Sequence, residues 1–511
     1  MHKQWAILPM VWMTLLPAAQ NIRAQGASQS ALSAQIQNLT NAMVRTQSQL
    51  DESQRELDEM RKELVELKGQ MANSGHDTDP SATPQTQDSS SAAPDATAAA
   101  VDDLREREAV NESKIATHEQ DKVESESKYP VRITGLLLLN GFVNTGTVNA
   151  SSTPSVAVPG SGSTGASVRQ TVLGIDALGP HLFGASSHAD LRVDFAGDAQ
   201  PSGSTYGSNQ TLLRLRTIHA ALEWSQTEAY FSLDRPIINP DTPTSLTAVA
   251  EPALAWSGNL WTWNPQIGVR QDLRLSSTRD LSLEAALIDV ADAPLSPAAL
   301  VAASPTPTIT SSGEQSRWPG VEARVALLGA GASASEERNH IGLSGFFAPH
   351  RNSLGSRYDA WAATLDARIF LPAHLQLTAS AYRGLALGGL GGGGYKDFAY
   401  KESPISGQYY FLPLDDAGGW AELKEKFSER LELNAAFGAD NAFANELRSY
   451  TTADAGFYQG LARNHTYTGN VIYSPSAYLL FSLEYRHIES APVVGSPAGS
   501  NVIGLGAGYK F

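Results

Sequence analysis

The sequence contains no cysteine. That excludes a disulfide framework and any metal centre built on thiolates. Past the first twenty residues no run of eighteen apolar side chains exists, so helical membrane spans are excluded as well. Charged residues make up only 18% of the chain, and the net charge of −16 leaves no basic footprint for a nucleic acid. Neither Gly-x-Ser-x-Gly nor His-Glu-x-x-His occurs, and the eleven His are scattered, so no enzyme, metal or cofactor is expected. Lysine is missing altogether from residues 129–395, which carry sixteen Arg instead.

What is present changes character along the 511 residues. His2 and Lys3 precede an apolar core, "WAILPMVWMTLLPAA" (5–19), and "NIRAQ" offers a cleavage point after Ala24. Residues 1–24 therefore read as an export signal. Within residues 25–72, Ile36, Met43, Leu50, Leu57, Leu64 and Met71 fall seven apart, and Leu32, Leu39, Thr46, Ser53, Met60 and Leu67 form a second seam. Charged side chains hold the outer positions. That spacing predicts an α-helical coiled coil, which needs partner chains and so argues for a homo-oligomer. Residues 73–128 offer almost nothing to bury at first and then turn highly charged, as a disordered and solvated linker would.

From Tyr129 to Phe511 short alternating segments take over. Sixteen of them, from 131–144 to 501–511, are about long enough to cross a bilayer at a tilt. Their connections sort by parity: tight at 179–184, 225–226, 276–279, 372–373 and 474–476, and long at about 145–167, 197–210, 236–261, 290–316, 384–417 and 439–462. In "SHADLRVDF" (187–195), Ala189, Leu191, Val193 and Phe195 share one side, while His188, Asp190, Arg192 and Asp194 share the other. The fold expected is an all-β transmembrane barrel of about sixteen antiparallel strands, apolar outside and polar inside, preceded by the coiled coil. An even strand count puts both barrel ends on one side, the periplasm. The last stretch, "NVIGLGAGYKF", carries an apolar stripe to Tyr509 and Phe511, whose rings suit a headgroup layer.

Signal, coiled coil, polar linker, sixteen strands and a terminal Phe511 together resemble the DcaP-like trimeric porins of bacteria and, more loosely, the phosphate-selective porins. The stretch "RPIINPDTPTSLTAVAEPALAWSGNLWTWNPQIGVR" (235–270) is similar to the third-loop region of such porins. The resemblance implies a homotrimer in the outer membrane, with a third loop folded into each lumen. It places Asp234, Arg235, Asp241 and Glu251 at that constriction.

A sixteen-stranded barrel can hold a water-filled channel for small hydrophilic solutes. By alternation Arg132, Arg192, Arg214, Arg216, Arg270, Arg274, Arg324 and Arg368 point inward, a set suited to carboxylate or phosphate. Against this, residues 129–511 hold 25 Lys and Arg but 33 Asp and Glu, and Asp190, Asp194, Asp272, Glu322 and Asp366 stand ready to neutralise the arginines. Anion preference and neutralisation both stay open at this stage. Trp256, Trp261 and Trp263 read as a girdle or subunit contact in preference to a greasy slide, and "GLALGGLGGGG" (384–394) as a mobile extracellular loop. Two further readings remain: a barrel that merely tethers the coiled coil to the cell wall, and a hydrolase whose Ser and His meet across strands.

Overall fold

The computed structural model describes residues 129–197, 212–295, 310–329, 338–352, 355–403, 405–450 and 457–511, and structural statements below concern these. The expected signal, coiled coil and linker lie outside them. None of the described helices is long and apolar enough to cross a membrane.

The chain folds into β1 (Val131–Val148), β2 (Ala157–Ser167), β3 (Val172–Leu178), β4 (Ser186–Gly197), β5 (Leu212–Glu223), β6 (Thr227–Asp234), β7 (Asn264–Ser276), β8 (Arg279–Ile288), β9 (Gly320–Gly329) and β10 (His340–Arg351). There follow β11 (Arg357–Leu371), β12 (Leu375–Leu385), β13 (Phe398–Glu402), β14 (Tyr409–Pro413), β15 (Asp415–Ser428), β16 (Leu431–Ala442), β17 (Leu461–Tyr473), β18 (Leu479–Pro492) and β19 (Ala498–Lys510). One sheet holds 17 of these strands, and β13–β14 form a separate hairpin. Both β2 and β3 pair with β1, at Asn140–Val148 and at Val131–Leu136, so they are two halves of one broken strand. Counting them as one leaves sixteen antiparallel strands. The first and last close the ring, from Leu136 opposite Lys510 to Asn144 opposite Val502.

The sixteen expected segments correspond to these sixteen strands, with ends shifted by a few residues. One extension lies beyond the expectation. The upper half of the second strand, β2, occupies residues read as loop, because its run of Gly and Ser lacks an apolar stripe. The parity of the connections holds only in part: at the loop end, β10 to β11 and β18 to β19 are also joined by short connections.

Burial is inverted relative to a soluble protein. Phe231, Ile267, Leu343, Leu365, Leu483 and Leu505 are each more than half exposed, whereas Asn140, Thr364, Asp366, Asn434, Asn470 and Glu484 on the inner face are nearly inaccessible. Every backbone group inside a closed ladder is paired, which is what hydrocarbon demands. At the turn end Phe511 exchanges backbone hydrogen bonds with Gly135, and Tyr478, Tyr509 and Phe511 stack in series. Gly135 is small because the Phe511 ring occupies the space where its side chain would go.

Candidate functional site

The lumen is crossed by the connection between β6 and β7. From Asp234 the chain turns inward, and Thr364 on β11 donates to the Ile238 carbonyl at 2.7 Å. Asp241 is gripped by Arg368 of β11 and lies 3.0 Å from His340 of β10. Glu422 of β15 accepts from the Thr244 backbone N–H at 2.6 Å, and Glu484 of β18 from the Ser245 hydroxyl at 2.5 Å. Asn470 of β17 and Asn140 of β1 donate to the carbonyls of Thr244 and Leu246.

Beyond that point the loop reaches the break between β2 and β3. Gln170, 1% exposed, accepts from the N–H groups of Val249 and Ala250 and donates to the Thr247 carbonyl. Arg214 of β5 then donates to the Ala250 carbonyl at 2.7 Å. The return leg lies on β15–β17: Asn464 donates to the Trp256 carbonyl, and Ser257 bonds Thr466. Here backbone meets backbone. A side chain on Gly438 would strike the Ser257 carbonyl, and one on Gly258, whose φ of +95° also excludes most residues, would strike Gly419.

A second segment, residues 386–397 after β12, packs beside the first. The Gly393 N–H donates to Asp416 at 2.7 Å and the Gly394 N–H to Asp440 at 2.8 Å. The Lys396 ammonium donates to the carbonyls of Gly394, Tyr458 and Leu461. Trp256 stacks on Tyr395 with ring centres 3.9 Å apart, and the Trp261 N–H donates to the Leu390 carbonyl, which locks the two loops together. Burial pushes the Lys396 ammonium down to about 7 and the carboxyls of Asp397 and Glu251 up to about 7.

Two expectations are corrected here. Residues 386–394 are buried inside the barrel and not an exposed extracellular loop, because Asp416 and Asp440 supply wall acceptors for backbone that glycine leaves uncovered. The tryptophans are neither an outer girdle nor a contact on the outer surface. Trp256 is 4% exposed in the interior, edge-on to Trp261, which is edge-on to Trp263. Trp263 carries the guanidinium groups of Arg214 and Arg216, each 5.0 Å from its ring.

The loops lie on the wall of β11, β15–β19 and β1. The wall of β3–β7 keeps its guanidinium groups in reach of solvent. Arg192 pairs with Asp176 at 2.6 Å, Arg214 and Arg216 with Asp194 at 2.6 and 3.6 Å, and Arg270 with Glu228 at 2.6 Å. Arg274, near the turn end, has an 80% exposed side chain, and Arg132 is an exposed residue opposite Asp176. Arg324 differs: it and Asp366 form a buried pair at 2.6 Å. Arg368 is committed to Asp241, and Arg235 is half-buried next to Asp234, whose carboxylate accepts from the Arg235 backbone N–H. Glu251 is enclosed near Ser155 and Trp256. Among the acids expected to neutralise arginine, Asp194 and Asp366 do so, Asp190 lies 3.7 Å from Arg192, and Asp272 instead accepts from Ser282.

Missed from the sequence were Gln170, Asn140, Asn464, Asn470, Glu422 and Glu484, the side chains that seat the loop. Strand parity places them inside, but nothing local distinguishes an anchor from any other inward polar residue. Also missed was a Ser–His contact of the kind a hydrolase needs. Helix α1 (Ser312–Ser316) opens on Ser312, whose Oγ lies 2.8 Å from His350 Nδ1 and 3.1 Å from the Tyr358 hydroxyl. Asp292, however, bonds the serine and not the imidazole, and Ser312 and His350 are 5% and 3% exposed. The arrangement ties the helix to the wall and lacks an orienting acid on the histidine.

No family model matches the chain, and no curated protein does. Solved structures do. The outer membrane channel DcaP of Acinetobacter baumannii superposes with a TM-score of 0.52 at 17% identity, over 76% of this chain and 99% of that one. The anion-selective porin from Comamonas acidovorans gives 0.42 at 10%, over 75% and 100%. OmpT of Vibrio cholerae, an outer-membrane protein, gives 0.43 at 8%, over 76% and 100%. The first of these likenesses carries the fold, a closed antiparallel barrel of the outer-membrane channel kind.

Proposed function

We propose that this protein is a porin of the bacterial outer membrane, passing small hydrophilic solutes by diffusion through a lumen that its third loop narrows. One observation carries the reading: an apolar exterior surrounds a polar interior in which the inward loop is pinned to one half of the wall. A tether would need no such partition. The strands span the bilayer, the short turns and both barrel ends face the periplasm, and the chain assembles as a homotrimer whose coiled coil over residues 25–72 joins the copies. The resemblance of 235–270 to a third porin loop supports the trimer, as does the heptad pattern.

Anion preference follows from how the ion pairs are turned. Asp194 has no exposed side-chain surface, whereas its partner Arg214 keeps 30%. Arg270 keeps 43% against 8% for Glu228. Mobile ions therefore meet guanidinium before carboxylate, although the composition of residues 129–511 is acidic. Arg132, Arg192, Arg214, Arg216, Arg270 and Arg274 form the lining in this proposal. Arg324, Arg368, Asp234, Arg235, Asp241 and Glu251 shape the constriction from behind. Small dicarboxylates match the charge and spacing of forked donors. The test is the reversal potential in a planar bilayer under a KCl gradient. An anion-side value that moves toward cations in Arg214→Gln and Arg270→Gln is expected. A cation-side value in the unaltered protein overturns anion preference, and a silent barrel overturns the channel.

A further inference from the structure

Three side chains meet at the turn end of the open half-wall, two of them histidines with no part in the argument so far. His188 lies on β4, His219 on β5 and Glu228 on β6, and their ligand atoms all fall within 4.8 Å of one another. We propose that these three residues form a binding site for a borderline-soft divalent metal ion such as Zn2+, facing the water of the lumen.

Register brings the two histidines together: Asp190 stands directly opposite His219, which puts His188 one inward position nearer the turn. Glu228 lies opposite Glu223, and its side chain reaches along the sheet to His219. The two imidazole rings are stacked at 5.8 Å, and Tyr230 stacks on the other face of His219 at 5.3 Å, so the middle ring is held between neighbours. Tyr230 is fixed in turn by donating to Glu284 at 2.8 Å. One carboxylate oxygen of Glu228 lies 2.8 Å from His219 Nε2, while the other is held by Arg270 at 2.6 Å. Arg270 thus orients the carboxylate and leaves a single oxygen facing the imidazoles, the outer support that metal-bound carboxylates commonly have. Asp190, Glu228 and Glu284 stand against Arg192, Arg270 and Arg324, so charge around the site is balanced and the donor set selects the ion.

Two imidazoles and one carboxylate are a donor set for zinc, cobalt, nickel or copper and a poor one for magnesium or calcium. Tetrahedral ligands about 2.1 Å from zinc stand roughly 3.4 Å apart, so the 2.8 Å contact between His219 and Glu228 would open slightly while His188 closes on the pair, both within the reach of small χ adjustments. His188 and His219 are partly accessible and Glu228 is buried behind them, so water would reach the site from the side of the imidazoles. Sequence parity had already put His188 inward, but a lone inward His on each strand reads as solvated until the register is known.

The test uses the full-length protein in detergent, stripped with chelator and titrated with Zn2+ by calorimetry and with Co2+ by visible absorption. One saturable site is expected, with cobalt bands of a four- or five-coordinate nitrogen–oxygen set and no competition from millimolar Mg2+. His188→Gln and His219→Gln should each weaken it by more than the roughly tenfold to hundredfold that losing an outer partner costs. The control His465→Gln, on β17, should leave it unchanged. Absence of saturable binding overturns the proposal. So does binding that survives in the His188→Gln/His219→Gln double variant, which would assign it to His2, His76 or His118. Since the readout is metal binding and not conductance, it stands or falls apart from the porin reading.

Discussion

The two halves of the inner wall obey the same alternation and yet differ in chemistry. Where the loops lie, on β11, β15–β19 and β1, Asn140, Thr364, Asn464 and Asn470 donate to loop carbonyls, Glu422 accepts from a loop N–H, and the arginines there are tied down, Arg368 to Asp241 and Arg486 to the Pro154 carbonyl. On β3–β7 the inward residues are Arg, His, Asp and Glu, paired with one another, with the arginines still open to solvent. Short amides and hydroxyls can satisfy a backbone brought close, and glycine lets it touch. Long charged side chains hold a space open. The division teaches that polarity inside a barrel has two uses, as glue for what fills the lumen and as lining for what remains.

The difference can be broken outright by deleting residues 242–258. Both halves would then face water, and single-channel conductance should rise severalfold while selectivity falls; an unchanged conductance would place the narrowing elsewhere. The next effect concerns pH. The buried carboxyl of Glu251 sits above its ordinary value, at about 7. Its protonated form favours folding fully below the ordinary carboxylate range, and that contribution is lost as pH rises through about 7. The loss is on the order of 3 kcal/mol where fully expressed. Glu251→Gln should flatten that descent, seen as a smaller drop in thermal stability between about pH 5 and pH 8. The smallest effects compare single polar residues across the two halves. Asn464→Ala strands the buried carbonyls of Ser155 and Trp256 and should cost about 1–3 kcal/mol. Arg192→Gln, on the open half, should cost under about 1 kcal/mol. Equal costs in chemical denaturation would erase the distinction.

How much of this was legible in advance depends on distance along the chain. Strands were readable because alternation is local, and Ile267, Val269 and Leu273 on β7 announce their side within a single segment. The path of the loop was not. Leu246 meets Asn140 across 106 positions, Thr244 meets Glu422 across 178 and Ser245 meets Glu484 across 239. The glycine run after β12 looked free because its partners, Asp416 and Asp440, lie on strands that follow. Arg324 and Arg270 looked alike from parity; only the register of β9–β11 and the loop reveals that the first is buried against Asp366 and the second is not. The tryptophans misled for the same reason, since an aromatic in a loop carries no mark of whether it faces lipid or a neighbouring loop.

The seat of the inward loop straddles the joint between the first strand and the last. Asn140 on β1, Gln170 just after β2, and the space over Gly504 and Gly506 on β19 all receive residues 246–250. That joint comes into being only when the N-terminal and C-terminal edges of the sheet meet, so the clasp has nowhere to fasten on an open sheet. Narrowing is thereby tied to completion: a half-assembled barrel would be a wide, leaky one, and the finished ring fastens itself from within.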